Sequence, residues 1–196
     1  MAEPGIRAFV CGHPIAHSRS PLIHGHWLER HGISGSYERI DVAPADIAAF
    51  FAALPNGVYA GGNVTIPHKE AAFAAAGWHD AAAAATGAVN TLWLADGRLC
   101  GGNTDAAGFA GNLDDFAPGW RNGRVAIVIG AGGAARAVIY ALAEAGYADI
   151  RVVNRTLGRG EELGKRFGAA VAAYGSAALD DLLFDADLLV NTTSIG

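Results

Sequence analysis

The segment at residues 125–136 constrains the fold of this chain more than any other. It reads VAIVIGAGGAAR, an apolar strand that passes directly into a glycine-rich turn and then a helix. Glycine at 130 permits a sharp turn, and glycine at 132 lets backbone N–H groups approach a pyrophosphate. The small Ala135 lets the helix pack closely on the strand. Any tight strand–helix turn favours glycine, so the pattern alone leaves a purely structural turn open.

The residues that follow favour a dinucleotide-binding half-domain. The next helix carries apolar residues at helical spacing and ends at Gly146, and a second strand runs from Asp149 to Val153. The end of that second strand is where such a fold holds the residue that contacts the cofactor ribose. The predicted cofactor-binding residues are Gly130, Ala131, Gly132, Gly133, Ala134, Asn154, Arg155, Thr156 and Arg159.

The choice between NAD and NADP depends on the end of the second strand. A NAD site usually has Asp or Glu there, which accepts hydrogen bonds from the ribose 2′-OH. This chain has Asn154, Arg155 and Thr156, with Arg159 close behind. A guanidinium binds a 2′-phosphate with its planar fork, although these arginines could also be solvated charges at a helix start. The sequence therefore predicts NADP.

Composition and charge narrow the class of protein. The chain has 196 residues, 52% hydrophobic and 17% charged, which is typical of one large or two small folded domains. A net charge of -5 and the lack of any Lys/Arg run argue against nucleic-acid binding. Cys11 and Cys100 match no metal or redox spacing, and no apolar run approaches membrane length. We expect a cytoplasmic protein without a nucleic-acid or membrane partner.

The order of elements predicts an α/β protein. In the first part, strands at 6–11, 37–42, 58–64, 89–94 and 98–101 alternate with helices, and Asp96-Gly97 predicts a hairpin. Strands near 125–129, 149–153, 170–173 and 187–191 alternate with crossover helices, which implies a parallel, doubly wound (Rossmann) sheet. We place the domains at 1–118 and 119–196. A complete fold of this type has about six strands, so we expect the second domain to be incomplete and the chain truncated.

Motifs before the glycine turn resemble a known family. GHPI at 12–15, HSRSP at 17–21, NVTIPHK at 63–69, GAVNT at 87–91 and NTD at 103–105 occur in this order, followed by NRT at 154–156 and NTTS at 191–194. Together they resemble the shikimate dehydrogenases over essentially the whole chain. The resemblance implies that residues 1–118 bind a hydroxylated cyclohexene carboxylate and that residues 119–196 bind NADP. The implied reaction is the reversible reduction of 3-dehydroshikimate to shikimate.

The resemblance also assigns roles to individual residues. Ser18 and Ser20 match hydroxyls that bind the substrate carboxylate, and hydroxyl donors at a helix N-terminus suit an anion. Ser20 could equally be an ordinary N-cap. Thr65 and Asn90 match ligands of the ring hydroxyls, and a buried asparagine needs such partners.

Lys69 and Asp105 match the catalytic pair. Lys69 falls in the first turn of a helix opened by Pro67, where the helix dipole disfavours a cation by about 0.3–1 kcal/mol, so a purely structural lysine is less expected there. Asp105 also matches a substrate ligand. An aspartate after Thr104 is in addition ordinary first-turn chemistry, so its role depends on the other motifs.

Several alternatives stay open at this point. The ring substituent could instead make the chain a quinate/shikimate or aminoshikimate dehydrogenase. A module of another class, a ligand-sensing protein without catalysis, could keep the fold, but the presence of both Lys69 and Asp105 speaks against it. Histidines 13, 17, 24 and 26 lack metal-ligand spacing, so we expect no metal site. We expect a monomer or a homodimer.

Overall fold

The computed structural model describes residues 5–193 of the chain, in two compact units. The first unit ends at Asn103 and the second begins at Thr104. The domain boundary predicted after residue 118 lies further along the chain, beyond a helix that is grouped with the second unit. That boundary stays a prediction. The last residue of the NTTS motif, Ser194, lies outside the described residues.

The first unit is an α/β fold with one mixed sheet. In chain order it contains β1 (Ile6–Gly12), α1 (Ser20–Arg30), β2 (Gly35–Asp41), α2 (Ile47–Ala53), a 3₁₀ turn (Leu54–Asn56), β3 (Gly61–Val64), α3 (Lys69–Ala75), β4 (Trp78–His79), α4 (Ala81–Thr86), β5 (Thr91–Ala95) and β6 (Arg98–Gly102).

The strand directions bring the polar motifs of this unit to one side. The sheet order is β2-β1-β3-β5-β6-β4. β1 is parallel to both β2 and β3, whereas β5 is antiparallel to β3 and to β6. The carboxyl ends of β1, β2, β3 and β6 and the beginning of β5 therefore lie along the same edge. We call this the carboxyl edge of the first sheet.

The predicted hairpin is confirmed. β5 and β6 pair from Thr91↔Gly102 to Ala95↔Arg98, around the turn at Asp96 and Gly97. Both turn residues have positive φ, 50° and 72°, as a type I′ turn requires. This turn lies at the edge opposite the carboxyl edge.

The sequence expectations for the start of α1 and the start of the third strand are corrected. The N-cap of α1 is Arg19, and Ser20 is already helical; the Ser18 hydroxyl instead accepts the Ser20 N–H, at 3.4 Å. The third strand begins at Gly61 rather than at residue 58, because Val58 is exposed and lies outside the sheet. The short strand Trp78–His79 has no sequence signal of its own and is defined by its pairing with β6.

The core of the first unit lies under α2 and α3. Phe9 on β1 is fully buried, and its ring meets the rings of Phe50 and Tyr59 edge to face with centroids 5.3 and 5.2 Å away. Phe51 and Leu92 complete the centre of this core. Each such buried side chain contributes about 1.5–3 kcal/mol relative to an exposed one, which fixes the sheet beneath the carboxyl edge.

The second unit alternates parallel strands with crossover helices. It contains α5 (Asp105–Phe116), a 3₁₀ turn (Trp120–Asn122), β7 (Val125–Ile129), α6 (Gly133–Glu144), β8 (Asp149–Val153), α7 (Leu157–Phe167), β9 (Val171–Tyr174), a 3₁₀ turn (Ser176–Ala178), α8 (Leu179–Leu182), a 3₁₀ turn (Leu183–Asp185) and β10 (Leu188–Asn191).

The predicted parallel sheet is confirmed. β10, β7, β8 and β9 pair in that order and all run parallel. Because the order reverses between β7 and β10, the carboxyl ends of these two strands form the crevice at which open α/β sheets bind ligands. Ile127, Ile139 and Ile150 are fully buried between the sheet and its helices, as expected for strands covered on both faces.

No helix within residues 5–193 is both long enough and apolar enough to cross a membrane.

Candidate functional site

The two predicted carboxylate-binding serines lie in the loop after β1 and at the start of α1. Ser18 and Ser20 are half-buried, and their hydroxyl oxygens are 3.3 Å apart. The guanidinium of Arg39 on β2 donates to the Ser18 carbonyl at 2.8 Å and ties the loop to the sheet. Two hydroxyl donors are thereby held side by side at the N-terminus of α1, whose dipole favours an anion.

Thr65 and Lys69 follow the carboxyl end of β3. The Thr65 N–H donates to the Cys11 carbonyl of β1 at 2.9 Å, and Lys69 is the first residue of α3. The predicted first-turn position of Lys69 is confirmed. The carbonyl of Lys69 accepts the N–H of Val89 at 2.9 Å, which fixes the start of α3 beside the segment that leads into β5.

Asn90 is buried directly before β5. It is 8% exposed, and its N–H donates to the Gly102 carbonyl of β6 at 3.0 Å. Its carbonyl accepts the N–H of Val64 at 2.8 Å and the Nδ2 of Asn63 at 3.2 Å. The prediction placed Asn90 within the strand. It lies one residue earlier, at the carboxyl edge of the first sheet, where it joins the neighbours of Thr65.

A polar network that sequence reasoning missed lies behind Asn90. Tyr37 on β2 donates its hydroxyl to Asn63 Oδ1 at 2.5 Å, and Asn63 Nδ2 lies 3.2 Å from Thr91 Oγ1. The Thr91 hydroxyl donates to Asn90 Oδ1 at 2.8 Å. Burial raises the pKa of Tyr37 to about 12. Asn63 and Thr91 belong to quoted motifs, but only the strand register makes them partners.

The histidines near this edge have structural partners. His13 Nδ1 lies 2.6 Å from Asp41 Oδ1, and this hydrogen bond holds the pKa of the Asp41 carboxyl below its usual range. His68 is buried, and its Nε2 lies 2.7 Å from the Val42 carbonyl. His24 stacks on Tyr37 with ring centroids 4.0 Å apart. Within residues 5–193, no group of three or more His, Cys, Asp and Glu is placed to hold a metal ion.

Asp105 opens the second unit. It is half-buried and is the first residue of α5, with Thr104 as the N-cap. A carboxylate in the first helical turn interacts favourably with the helix dipole.

The glycine turn of the second unit forms an open cradle. Gly130 has φ +107°, and a Cβ there would lie 2.5 Å from Thr192 Oγ1, so only glycine fits. Gly132 is the N-cap of α6, and a Cβ added to Gly132 or Gly133 would meet nothing within 4 Å. Ala135 is fully buried against the strand, as predicted. Free N–H groups at the start of a helix and space beside them fit a pyrophosphate.

The cradle continues into a groove of about 610 Å³ along the carboxyl ends of β7, β8 and β10. The groove is lined by Gly130, Ala131, Gly132, Asn154, Arg155, Arg159, Ser176, Asn191, Thr192 and Thr193, among others. Most of the residues predicted to bind the cofactor are in this lining, whereas Gly133, Ala134 and Thr156 are only its neighbours in the chain. Asn154 Nδ2 donates to the Thr156 carbonyl at 2.8 Å, which shapes the turn into α7.

The charges in this groove fit a phosphorylated ribose. Arg155 and Arg159 are exposed, and neither forms an ion pair with any residue in the part of the chain that the structure describes. The position after β8 carries Asn154, so no carboxylate stands there to repel a 2′-phosphate. The residues present therefore fit NADP.

Comparison with known families matches both parts of the chain. Residues 10–92 match the model described as shikimate dehydrogenase substrate binding domain, and residues 117–195 match the model described as shikimate / quinate 5-dehydrogenase.

Curated relatives are similar along the entire chain. A protein of Mesorhizobium japonicum named shikimate dehydrogenase (NADP(+)) is 66% identical over 196 residues, which are 100% of this chain and 70% of that protein. A protein of the same name from Brucella canis is 60% identical over 98% of this chain and 66% of its own length. The chain thus spans about two thirds of the length of these relatives.

A solved structure of a shikimate dehydrogenase is also similar to this chain. The shikimate 5-dehydrogenase of Thermus thermophilus, crystallised with NADP(H) and shikimate, has a TM-score of 0.83 and 41% identity, over 96% of this chain and 68% of that one.

Proposed function

The chain belongs to the shikimate dehydrogenase family, and we propose that it catalyses the reversible, NADP-dependent reduction of 3-dehydroshikimate to shikimate. This places it in the biosynthesis of aromatic amino acids.

The observation that carries this proposal is the gathering of motif residues at the carboxyl edge of the first sheet. Ser18 and Ser20 follow β1, Thr65 follows β3, and Asn90 precedes β5. These positions are separated in sequence, and strand direction alone brings them to one edge. A hydroxylated ring with one carboxylate needs this mixture of hydroxyl and amide donors around it.

We assign the substrate contacts as follows. The Ser18 and Ser20 hydroxyls donate to the carboxylate, supported by their 3.3 Å spacing at the start of α1. Thr65 and Asn90 bind ring hydroxyls. No residue that the structure describes forms a hydrogen bond with the Thr65 hydroxyl, which leaves it available to a ligand. Holding the ring in one orientation is the main contribution to rate, since a positioned reactant avoids several kcal/mol of entropic barrier.

Lys69 and Asp105 carry the acid–base chemistry in this proposal. Lys69 exchanges the proton at the substrate oxygen that changes between carbonyl and hydroxyl, and Asp105 acts with it and binds a ring hydroxyl. A positioned proton donor of this kind contributes about 10²–10⁴-fold in rate. The presence of both groups is the reason to favour an enzyme over a ligand-sensing module.

The second unit would hold the cofactor. Gly130, Gly132 and Gly133 would receive the pyrophosphate, and Arg155 and Arg159 the 2′-phosphate, with Ala131, Ala134, Asn154 and Thr156 around them. Bound NADPH supplies the hydride that the substrate carbonyl accepts. We propose further that the protein is cytoplasmic and acts as a monomer or homodimer on a small-molecule substrate.

One assay tests the substrate and the cofactor together. Rates of the full-length gene product are measured with shikimate and quinate, each with NADP and with NAD. We expect kcat/KM to be highest for shikimate with NADP. Higher kcat/KM with quinate would identify the quinate alternative, and no turnover of either acid would favour the amino analogue or a sensing module.

A further inference from the structure

We propose that Tyr37, Asn63 and Thr91 form a positioning relay that fixes which way the side-chain amide of Asn90 faces. The relay extends from β2 across β1 to β3 and β5, and each link is a side-chain hydrogen bond. The inference rests on the proposed function, because Asn90 is taken there as a substrate ligand.

The orientation of Asn63 follows from its partners. Asn63 stands opposite Thr91 in the antiparallel pair of β3 and β5. One end of its amide lies 3.2 Å from the backbone carbonyl of Asn90, which can only accept. That end must therefore be Nδ2, and Oδ1 must face Tyr37, whose hydroxyl donates to it.

The same logic passes through Thr91 to Asn90. Asn63 Nδ2 has two hydrogens, one for the Asn90 carbonyl and one for Thr91 Oγ1 at 3.2 Å. Thr91 Oγ1 accepts from Asn63, and its own hydrogen goes to Asn90 Oδ1 at 2.8 Å. Among the residues that the structure describes, the Thr91 hydroxyl has no other acceptor. A reversed Asn90 amide would therefore leave this hydroxyl hydrogen without an acceptor in the protein, which favours the orientation with Oδ1 toward Thr91.

The far end of the relay is anchored by Tyr37. The His24 ring lies on the Tyr37 ring at 4.0 Å and 5° between planes, which holds the phenol in place. Burial raises the pKa of Tyr37 to about 12 and lowers the pKa of His24. Tyr37 therefore stays a hydrogen-bond donor at neutral pH, and burial disfavours a charge on the His24 ring that lies on its face.

The consequence is a fixed orientation of the Asn90 amide before the substrate binds. Thr91 holds Oδ1, so Nδ2 is the end of the amide that faces away from Thr91. An amide held in one orientation before binding loses less conformational freedom when the ligand arrives.

Steady-state kinetics of the full-length gene product test the relay. Thr91→Val keeps the shape and suits a strand, but it removes the donor to Asn90. We expect it to raise KM for shikimate about three- to tenfold, the range for one hydrogen bond, with kcat changed less than twofold and KM for NADP unchanged. Thr91→Ser, which keeps the hydroxyl, should stay within about twofold of wild type. Tyr37→Phe should raise KM for shikimate about two- to threefold, whereas Tyr59→Phe, the matched control outside the relay, should not.

A double mutant separates positioning from general damage to the sheet. Asn90→Ala should raise KM for shikimate at least about tenfold, and adding Thr91→Val should raise it no further. If Thr91→Val costs the same factor with Asn90 present or absent, the relay is wrong although the substrate contact stands. If Asn90→Ala leaves KM unchanged, the substrate role of Asn90 fails and the relay fails with it. Should Thr91→Val not fold, the Tyr37→Phe and Tyr59→Phe pair decides, and equal KM values would overturn the relay.

Discussion

Replacing Gly130 by alanine should destabilise the second unit without touching any catalytic group. Gly130 has φ +107°, and a Cβ there would lie 2.5 Å from Thr192 Oγ1 and 3.2 Å from Thr193 Cγ2. Holding a non-glycine residue in such a conformation costs about 1–3 kcal/mol. Moving Thr192 away also breaks its hydrogen bond to the Ile129 carbonyl, at 2.7 Å, which is worth about 1 kcal/mol. We expect a total loss of about 2–4 kcal/mol in the free energy of unfolding.

Urea unfolding followed by circular dichroism measures this loss, and Gly132→Ala is the matched control. Gly132 has φ −95° and ψ −168°, ordinary extended values, and its Cβ would meet nothing within 4 Å. Its free energy of unfolding should change by less than about 0.5 kcal/mol. The added methyl would instead enter the pyrophosphate cradle, so the Kd for NADP should rise at least about tenfold. Equal stability of the two variants would refute the backbone argument, and unchanged NADP binding by Gly132→Ala would refute the cradle.

The remaining predictions concern substitutions of four charged residues. Lys69→Ala should lower kcat by about 10²–10⁴-fold with a smaller change in KM, and a kcat within fivefold of wild type would remove lysine from the mechanism. Asp105→Asn should lower kcat similarly and also weaken substrate binding. The double mutant should have a kcat little lower than that of either single mutant. Arg155→Ala should raise KM for NADP at least tenfold and leave KM for NAD nearly unchanged, whereas equal use of both cofactors by the wild-type enzyme would contradict the assignment. The hydrogen bond from Arg121 lowers the pKa of Asp114 to about 2. The ionised carboxylate therefore stabilises the fold above pH 3.8, the ordinary pKa of the group, and this stabilisation is lost as the pH falls through 2. In the Asp114→Asn variant, the urea midpoint should fall less steeply between pH 3.8 and 2 than in wild type.

The strands of the second unit could be predicted almost to the residue. β7 and β8 have the predicted bounds, because β7 is a short apolar run closed by a glycine turn and β8 is a short run of alternating polar and apolar residues that ends at a polar helix start. The hairpin was equally clear from Asp96-Gly97, since few residues other than these adopt positive φ at both turn positions. Local chemistry decides such features, and local chemistry is what a single sequence displays.

The relay behind Asn90 could not be predicted in the same way. Tyr37 has no motif of its own, and in sequence it looks like any aromatic residue of a half-buried strand. Its contact with Asn63 requires that β1 separate β2 from β3, an order that only the folded sheet defines. The expectation that Ser20 is the N-cap of α1 was wrong for a more local reason. The helix already begins at Ser20, and the Ser18 hydroxyl, two residues earlier, accepts the Ser20 N–H.

The direction of β5 explains why one sequence motif precedes its strand whereas the others lie at the end of theirs. GHPI, NVTIPHK and NTD each lie at the carboxyl end of a strand or follow it, whereas GAVNT leads into one. Because β5 runs antiparallel to β3 and β6, its beginning shares an edge with their ends, and the turn at Asp96 and Gly97 falls on the opposite edge. The residues of these motifs that belong to the first unit, up to Asn103, thus reach one edge, although one of the motifs stands at the other end of its strand. The antiparallel strand β5 within an otherwise parallel arrangement therefore places Asn90 at the same sheet edge as Thr65. The same antiparallel pairing sets Thr91 directly opposite Asn63, which makes the relay through Thr91 possible.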